Sequence, residues 1–233
     1  MPQNVLITGA NRGLGLELTR VLLQSDHRIF AINRRESEAL LQLREEFQVD
    51  LLLYSADVTD EFAIADILRR IAEEFGHLDL VINNAAVHLD HAKPDLEQVD
   101  FSVYLPTFSV NAVAPLIVVK HALPLLRRGD GKLIVNVSSE AGGIGTAWRK
   151  NEYSYCMSKA ALNMASRLLQ NAYKEEGIKV LALHPGWFSS DMGGSQAPIT
   201  TRQAAQDVAK LLIKTWSLEG PVYVDPQGEA LAW

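Results

Sequence analysis

Val5-Leu6-Ile7-Thr8-Gly9-Ala10-Asn11-Arg12-Gly13-Leu14-Gly15 is the stretch on which the fold turns. Its first three residues make a short apolar run that reads as a strand, and residues 16–24 behind it have the amphipathic spacing of a helix. The glycines at 9, 13 and 15 permit backbone turns that a Cβ would block. They also let a phosphate approach the helix N-terminus, where unpaired amides and the helix dipole favour negative charge. Strand, glycine turn and helix in this order turn a glycine motif into a dinucleotide-binding prediction. A purely structural strand-to-helix turn is the competing reading. Arg12, inside the turn, is a further candidate phosphate ligand.

The next apolar run, residues 28–32, ends in Asn33-Arg34-Arg35. In a dinucleotide fold this tip lies beside the adenosine ribose, where an acid would bind the 2′-hydroxyl of NAD. The acid is missing, and the two guanidinium groups suit the 2′-phosphate of NADP, so NADP(H) is favoured over NAD(H). Solvated loop charge is the alternative for all three arginines. Residues 37–47 read as a helix and 51–54 as a buried strand leading to Asp57-Val58-Thr59-Asp60. Thr59 or Asp60 would cap a helix running to Phe75, with Gly76 as its stop. A strand at 78–82 runs into Asn83-Asn84-Ala85-Ala86. Such alternation predicts an α/β fold: a single-domain, doubly wound parallel sheet with helices on both faces, spanning residues 1–233. Ligands of such sheets bind at the carboxyl ends of the strands, where Gly9, Arg34, Asp57 and Asn84 would gather.

Residues 96–128 are helical in pattern, although Pro106, Pro115 and Pro124 must start, kink or break helices there. Asn111 is a polar residue in this apolar run, able to bond a backbone group freed by a bend or to act through a water. A strand at 132–137 delivers Ser138-Ser139 to the carboxyl edge of the sheet. Beyond a glycine-bearing loop comes Tyr155-Cys156-Met157-Ser158-Lys159, at the head of a run of strong helix formers. Four residues is about one helical turn, so phenol and ammonium share a face. A phenol ionises near ~10, and a fixed cation nearby favours phenolate, which makes Tyr155 a candidate proton donor. By itself this spacing is common on surface helices; its weight comes from its surroundings. A strand at 179–183 ends in His184-Pro185-Gly186, residues 187–200 form a loop with glycines suited to a mobile lid over a substrate, 201–216 is the last helix and 220–224 the last strand.

Net charge is −6 and the sequence pI about 5.5, so no global footprint for nucleic acid or an anionic membrane exists. The N-terminus lacks a signal-peptide pattern, and no apolar stretch is expected to reach the ~18–20 residues that span a bilayer, which makes cytoplasmic the default location. Cys156, the one cysteine, reads as a packed, inert thiol. His88 and His91 invite a metal hypothesis, but no third ligand stands nearby, and no metal is expected.

Taken together, TGANRGLG at residues 8–15, Asn83-Asn84-Ala85, Asn111, Ser139, Tyr155 with Lys159, and Pro185-Gly186 resemble the short-chain dehydrogenase/reductase family over nearly the whole chain. HPGWFSSDMGG and YCMSKAALN look like its carbonyl-reductase-like, C-factor-like branch. The resemblance implies an NADP(H)-dependent oxidoreductase interconverting a small carbonyl compound and an alcohol. Tyr155 would be the general acid or base, Lys159 would lower its pKa and hold the nicotinamide ribose, Ser139 would bind the substrate oxygen, and Asn111 would stabilise a kinked helix and support a water leading to Lys159. Gly9, Asn11, Arg12, Gly13, Leu14, Gly15, Asn33 and Arg34 would hold the cofactor's phosphates and adenosine ribose, Asp57 and Val58 its adenine, Asn84, Ala85 and Ala86 its ribose region, and Pro185, Gly186, Phe188 and Ser190 its nicotinamide end. Ala86 where the family commonly has glycine, Phe188 for valine or isoleucine and Ser190 for threonine depart from the pattern and bear on fine cofactor placement. Trp148, Tyr153 and Trp187 could line an apolar substrate pocket or be packed in the core, and pairing into a homodimer or homotetramer through the helices of Asn111 and Tyr155 is compatible with the family. A cofactor-binding regulator with incidental turnover is the reading from another class. The set Asn111, Ser139, Tyr155 and Lys159 favours an enzyme, because a pure binder needs no tuned acid.

Overall fold

In the computed structural model, which describes residues 2–90, 95–214 and 217–233, the strands are β1 (Asn4–Thr8), β2 (Arg28–Asn33), β3 (Leu51–Ser55), β4 (Leu80–Asn83), β5 (Leu133–Val137), β6 (Lys179–Leu183) and β7 (Tyr223–Val224). They form one sheet in the order β3-β2-β1-β4-β5-β6-β7, and every pairing is parallel. The chain steps outward from β1 to β3, returns to the centre, and builds the second half from β4. This doubly wound arrangement places its switch point between β1 and β4, directly at the end of the glycine turn.

Helices cover both faces: α1 (Gly13–Leu23), α2 (Glu38–Glu46), α3 (Glu61–Phe75), α4 (Tyr104–Phe108), α5 (Ala114–Leu126), α6 (Tyr153–Tyr173) and α7 (Thr201–Leu212). Because side chains alternate along a strand, Val5, Ile7, Ile29 and Ala31 pack under α1, α2 and α7, while Leu6, Phe30 and Ile32 pack under α3 and α5. Strands buried on both sides read as unbroken apolar runs, which is why they were easy to place. Asp60, rather than Thr59, caps α3 by accepting from the Ala63 amide, while Thr59 bonds Asp57. Ser37 and Thr200 cap α2 and α7. β7 has two residues of the five expected, and α7 stops at Leu212; residues 215 and 216, the end of the predicted helix, lie outside the described residues.

One expectation is overturned: an apolar stretch does reach bilayer-spanning length. Helical turns run continuously from Phe101 to Leu126, 26 residues containing an 18-residue window of mean hydropathy 1.6, long and apolar enough to cross a membrane by length and composition. Pro106 and Pro115 fall in the first turns of α4 and α5, where a missing N–H costs little. Between them Ser109–Val113 opens into a π-helical turn in which the Ala114 amide reaches back to Ser109 O, a widening that accommodates the Pro115 ring. One face of this segment is core: Val118, Val119, Ala122, Leu125 and Leu126 are buried against the sheet.

Candidate functional site

The glycine turn is locked before it can bind anything. Asn84, on the segment after β4, donates its side-chain amide to Thr8 O and Gly9 O, both at 3.0 Å, and the Thr8 hydroxyl accepts from the amides of Asn84 and Ala85 at 3.1 Å. Gly9 (φ 72°) and Gly13 (φ 54°) take the left-handed backbone that favours glycine, and a Cβ on Gly13 would meet open space. A Cβ on Gly15 would lie 2.2 Å from Gly9 O and 2.5 Å from Asn84 Nδ2, both rigid neighbours. Gly15→Ala is therefore expected to destabilise the fold by about 2–3 kcal/mol, a cost of overpacking checked by urea unfolding; an unchanged midpoint would mean that the turn can open freely.

Whether a phosphate-bearing dinucleotide fits can be asked of the residues around this turn. Asn33, at the end of β2, is 4% exposed, and both polar atoms of its side chain lack a hydrogen-bond partner. A buried amide left so is costly unless a ligand completes it. Arg34 and Arg35 are exposed beside it, and Arg34 stands 3.8 Å from Asp57. Burial raises the Asp57 carboxyl, but hydrogen bonds from the Thr59 amide and hydroxyl and the Arg34 charge outweigh it, so Asp57 stays ionised below the usual range. Val58 is buried next to it. Asn11 O accepts from Ser37, Leu14 belongs to the core, and Arg12 is engaged with Asp191 at 2.6 Å, an exposed ion pair joining the glycine turn to the 187–200 loop. The cradle, the incomplete amide and the exposed cations fit a dinucleotide.

At the other half of the edge, β5 ends at Val137 and presents Ser138 and Ser139 in turn. Ser138 faces inward and donates to Asn163 at 2.6 Å; Ser139 remains at the edge, 8% exposed, its hydroxyl accepting from the Ala141 amide at 3.2 Å and close enough to the Tyr155 phenol to oppose the effect of burial on it. Tyr155 is in the first turn of α6, and Lys159 one turn on, its Nζ 5.7 Å from the phenol ring centroid and donating to Val137 O at 2.8 Å. Asn111, in the π-helical turn, accepts from the Val87 amide, donates to Val87 O and donates to Ser158, each within 3.0 Å. It ties three segments together rather than bonding a carbonyl of its own helix. The electrostatics differ from the sequence expectation. Burial dominates: the Tyr155 phenol is pushed up to about 12, with Ser139 and Arg149 opposing, and the Lys159 ammonium is pushed down to about 8. Desolvation disfavours each charged form, so in this structure the lysine does not lower the phenol.

The nicotinamide-end candidates are held by local contacts. Pro185 is buried and Gly186 has φ 85°, but Phe188 packs on the core and bridges Ile199, and Ser190 accepts from the Gly193 amide. Ala86 is half-buried beside the locked turn. Trp148 and Trp187 are exposed, at 72% and 56%, so neither is core; Tyr153 bonds Lys150 O. Cys156 is half-buried, and burial raises its thiol to about 11, in keeping with an inert role. His91 lies outside the described residues, and among the described residues no group of three or more His, Cys, Asp or Glu is placed to hold a metal.

A family model described as short chain dehydrogenase matches residues 3–199. The chain belongs to the short-chain dehydrogenase family. C-signal of Myxococcus xanthus is 34% identical over 158 residues, covering 68% of this chain and 94% of that protein. Among solved structures, carbonyl reductase Sniffer of D. melanogaster superposes with a TM-score of 0.92 at 29% identity, covering all of both chains. An NADPH-bound carbonyl reductase from chicken fatty liver gives 0.87 at 28%, covering 100% of this chain and 99% of that one. Within this family fold, sequence reasoning missed a buried polar ladder behind the site. Asn83 donates to Asn136 at 2.8 Å, Asn136 to Ser166 at 2.9 Å, and Asn163 receives Ser138 and donates to Gly142 O. Asparagines inside the apolar runs of β4 and β5 were the signal. Tyr223 was missed too: buried in β7, it donates to Ser139 O at 2.6 Å and holds that residue's backbone.

Proposed function

We propose that this oxidoreductase uses NADP(H) to interconvert a ketone or aldehyde and the corresponding alcohol, with Tyr155 as general acid in reduction and general base in the reverse direction. The observation that carries the reading is the gathering of Ser139, after β5, with Tyr155 and buried Lys159, whose Nζ lies 5.7 Å from the Tyr155 ring, on the carboxyl edge next to the locked glycine turn. When bound, the cofactor supplies the hydride. Ser139 donates a hydrogen bond to the substrate oxygen and orients it toward the phenol. Tyr155, held protonated by burial, gives its hydroxyl proton to that oxygen. Lys159 lies behind the phenol and holds ribose hydroxyls, while Asn111 fixes the wall formed by Val87 and Ser158. Gly9, Gly13, Gly15 and Arg12 bind the pyrophosphate side, Asn33 and Arg34 the adenosine ribose, Asp57 and Val58 the adenine, and the segment from Asn84 to Ala86 the ribose region. Pro185, Gly186, Phe188 and Ser190 line the nicotinamide end, and the 187–200 loop covers the substrate. Exposed Trp148 and Trp187 favour a small apolar or aromatic substrate.

The preference for NADP rests on Arg34 and Arg35 at a strand tip without an acid, and the NADPH in the chicken carbonyl reductase is consistent with it. NADPH is expected to bind at least about tenfold more tightly than NADH, and the double replacement Arg34→Ala with Arg35→Ala should remove that margin while leaving NADH affinity unchanged. Fluorescence titration of both cofactors checks this, and equal affinities in the wild type would remove the argument. We place the protein in the cytoplasm, as a homodimer or homotetramer joined through the outer faces of α5 and α6, where Leu116, Met164 and Leu168 are exposed. The likeness to a protein named C-signal favours one second reading, a cofactor-binding regulator. A panel of aldehydes, ketones and quinones with NADPH separates the two: turnover supports the reductase, and silence across the panel with intact NADPH binding supports the regulator.

A further inference from the structure

Tyr155 is faced by a second ring that its proposed role does not use. The imidazole of His88, on the segment after β4, lies against the phenol ring with centroids 4.3 Å apart and planes inclined by 26°. Its Nε2 is 3.4 Å from Asp90 and 3.4 Å from Glu152, and the three side chains are 9%, 5% and 6% exposed. Both carboxylates are themselves held. Asp90 accepts from the Ser154 amide at 2.8 Å, in the first turn of α6, and Glu152 accepts from Arg149 Nε at 2.8 Å. The other end of that guanidinium donates to Glu140 at 2.7 Å. Glu152 has a left-handed backbone, φ 62° and ψ 38°, immediately before α6. A non-glycine residue keeps that conformation only where its surroundings impose it, and here its side chain is pinned from two sides. Sequestering several charged groups against one aromatic ring is costly in desolvation unless their geometry is satisfied, and it fixes orientation rather than adding bulk stability.

We propose that His88 is a positioning residue for Tyr155. Its ring, flanked at 3.4 Å by Asp90 and Glu152, sets the plane of the phenol and so fixes the direction of its hydroxyl. Offset stacking restrains a neighbouring ring in tilt and rotation, which a flexible side chain of equal polarity does not do. Tyr155 therefore feels the ring of His88, and the carboxylates act on Tyr155 only through it. The proposal rests on the assignment of Tyr155 as the acid, and its test separates the two.

Two variants of the full chain divide ring from polarity: His88→Phe keeps the plane and loses the nitrogens, and His88→Gln keeps a polar contact to the carboxylates and loses the plane. In protein carrying ¹³C-labelled tyrosine, the Tyr155 resonance is identified by its loss in Tyr155→Phe. The wild type and His88→Phe should share a ring-current-shifted position, and His88→Gln should move toward an unstacked tyrosine. For NADPH-dependent carbonyl reduction, His88→Gln is expected to lower kcat about tenfold with KM unchanged, and His88→Phe to stay within about threefold, as misplacement of a reacting group predicts. Should His88→Phe fail to fold with two carboxylates left facing a hydrocarbon ring, His88→Gln decides alone, its fold checked by circular dichroism and NADPH affinity. An unmoved Tyr155 resonance or a wild-type kcat in folded His88→Gln overturns the proposal. A resonance that moves as expected in a protein whose wild type reduces no carbonyl supports the positioning and overturns the acid assignment.

Discussion

Tyr155→Phe is expected to lower kcat for carbonyl reduction by about 10³-fold, inside the ~10²–10⁴ range that a positioned general acid contributes. The change deletes one oxygen. It keeps the ring that stacks on His88 and leaves α6 intact, so NADPH affinity should stay within a few-fold of wild type. Since burial holds the phenol near 12, the acid is in its donating form throughout the neutral range, and its loss should be equally severe from pH 6 to 8. Steady-state assays at the nicotinamide absorbance measure the effect. Reduction at the full rate in the variant would remove Tyr155 from the chemistry.

Lys159→Met should separate activity from stability in opposite directions. The ammonium is 2% exposed, and its pKa falls from 10.5 to about 8 because burial penalises its charge. That penalty is about 3 kcal/mol at neutral pH, reduced to a net gain of about 2 kcal/mol in the variant once the bond to Val137 O is lost. The pH dependence has a definite sign. Below about pH 8 the folded chain carries the buried charge and the variant has its full advantage. Between about 8 and 10.5 the unfolded chain holds a proton that the folded chain has released, so wild-type stability rises with pH and the difference closes. Denaturant unfolding at pH 7 and at pH 10 measures both ends, while turnover should drop at least about 10²-fold as the proposed support for the phenol disappears. A variant less stable than wild type at pH 7 would mean that Lys159 is stabilised by more than burial removes. A buried cation retained at a cost in stability is the pattern of a functional group.

Much of the fold was legible because local signals agreed. Buried parallel strands are short apolar runs, Asp60 and Gly76 bracket α3 as a cap and a stop should, and the glycine turn stands between a strand and a helix. The bilayer-spanning length at residues 101–126 was not expected because the prolines there can start, kink or break a helix, and which of these happens depends on where each falls in a turn and on whether the next turn can widen. Of the site, Tyr155 and Lys159 were visible because helical periodicity alone brings them to one face. Their electrostatics were not, because desolvation depends on what covers them: the spacing suggests a lowered phenol, and burial raises it. Neither were the partners of Asn111, which lie in Val87 and Ser158, or the ion pair of Arg12 with Asp191, 179 residues away.

The amino-acid sequence by itself determined the order of strands and helices, the glycine turn between β1 and α1, and which side chains would reach the carboxyl edge of the sheet, since these depend on periodicities of two and 3.6 residues and on the backbone freedom of glycine. Only the tertiary structure decided that Ser138 turns inward to Asn163, that Asn84 spends its amide on locking the turn, and that Asp90 and Glu152 converge on His88, whose ring lies on Tyr155. Those relations join residues far apart in the chain, and their distances are set by packing between elements, which no local pattern encodes.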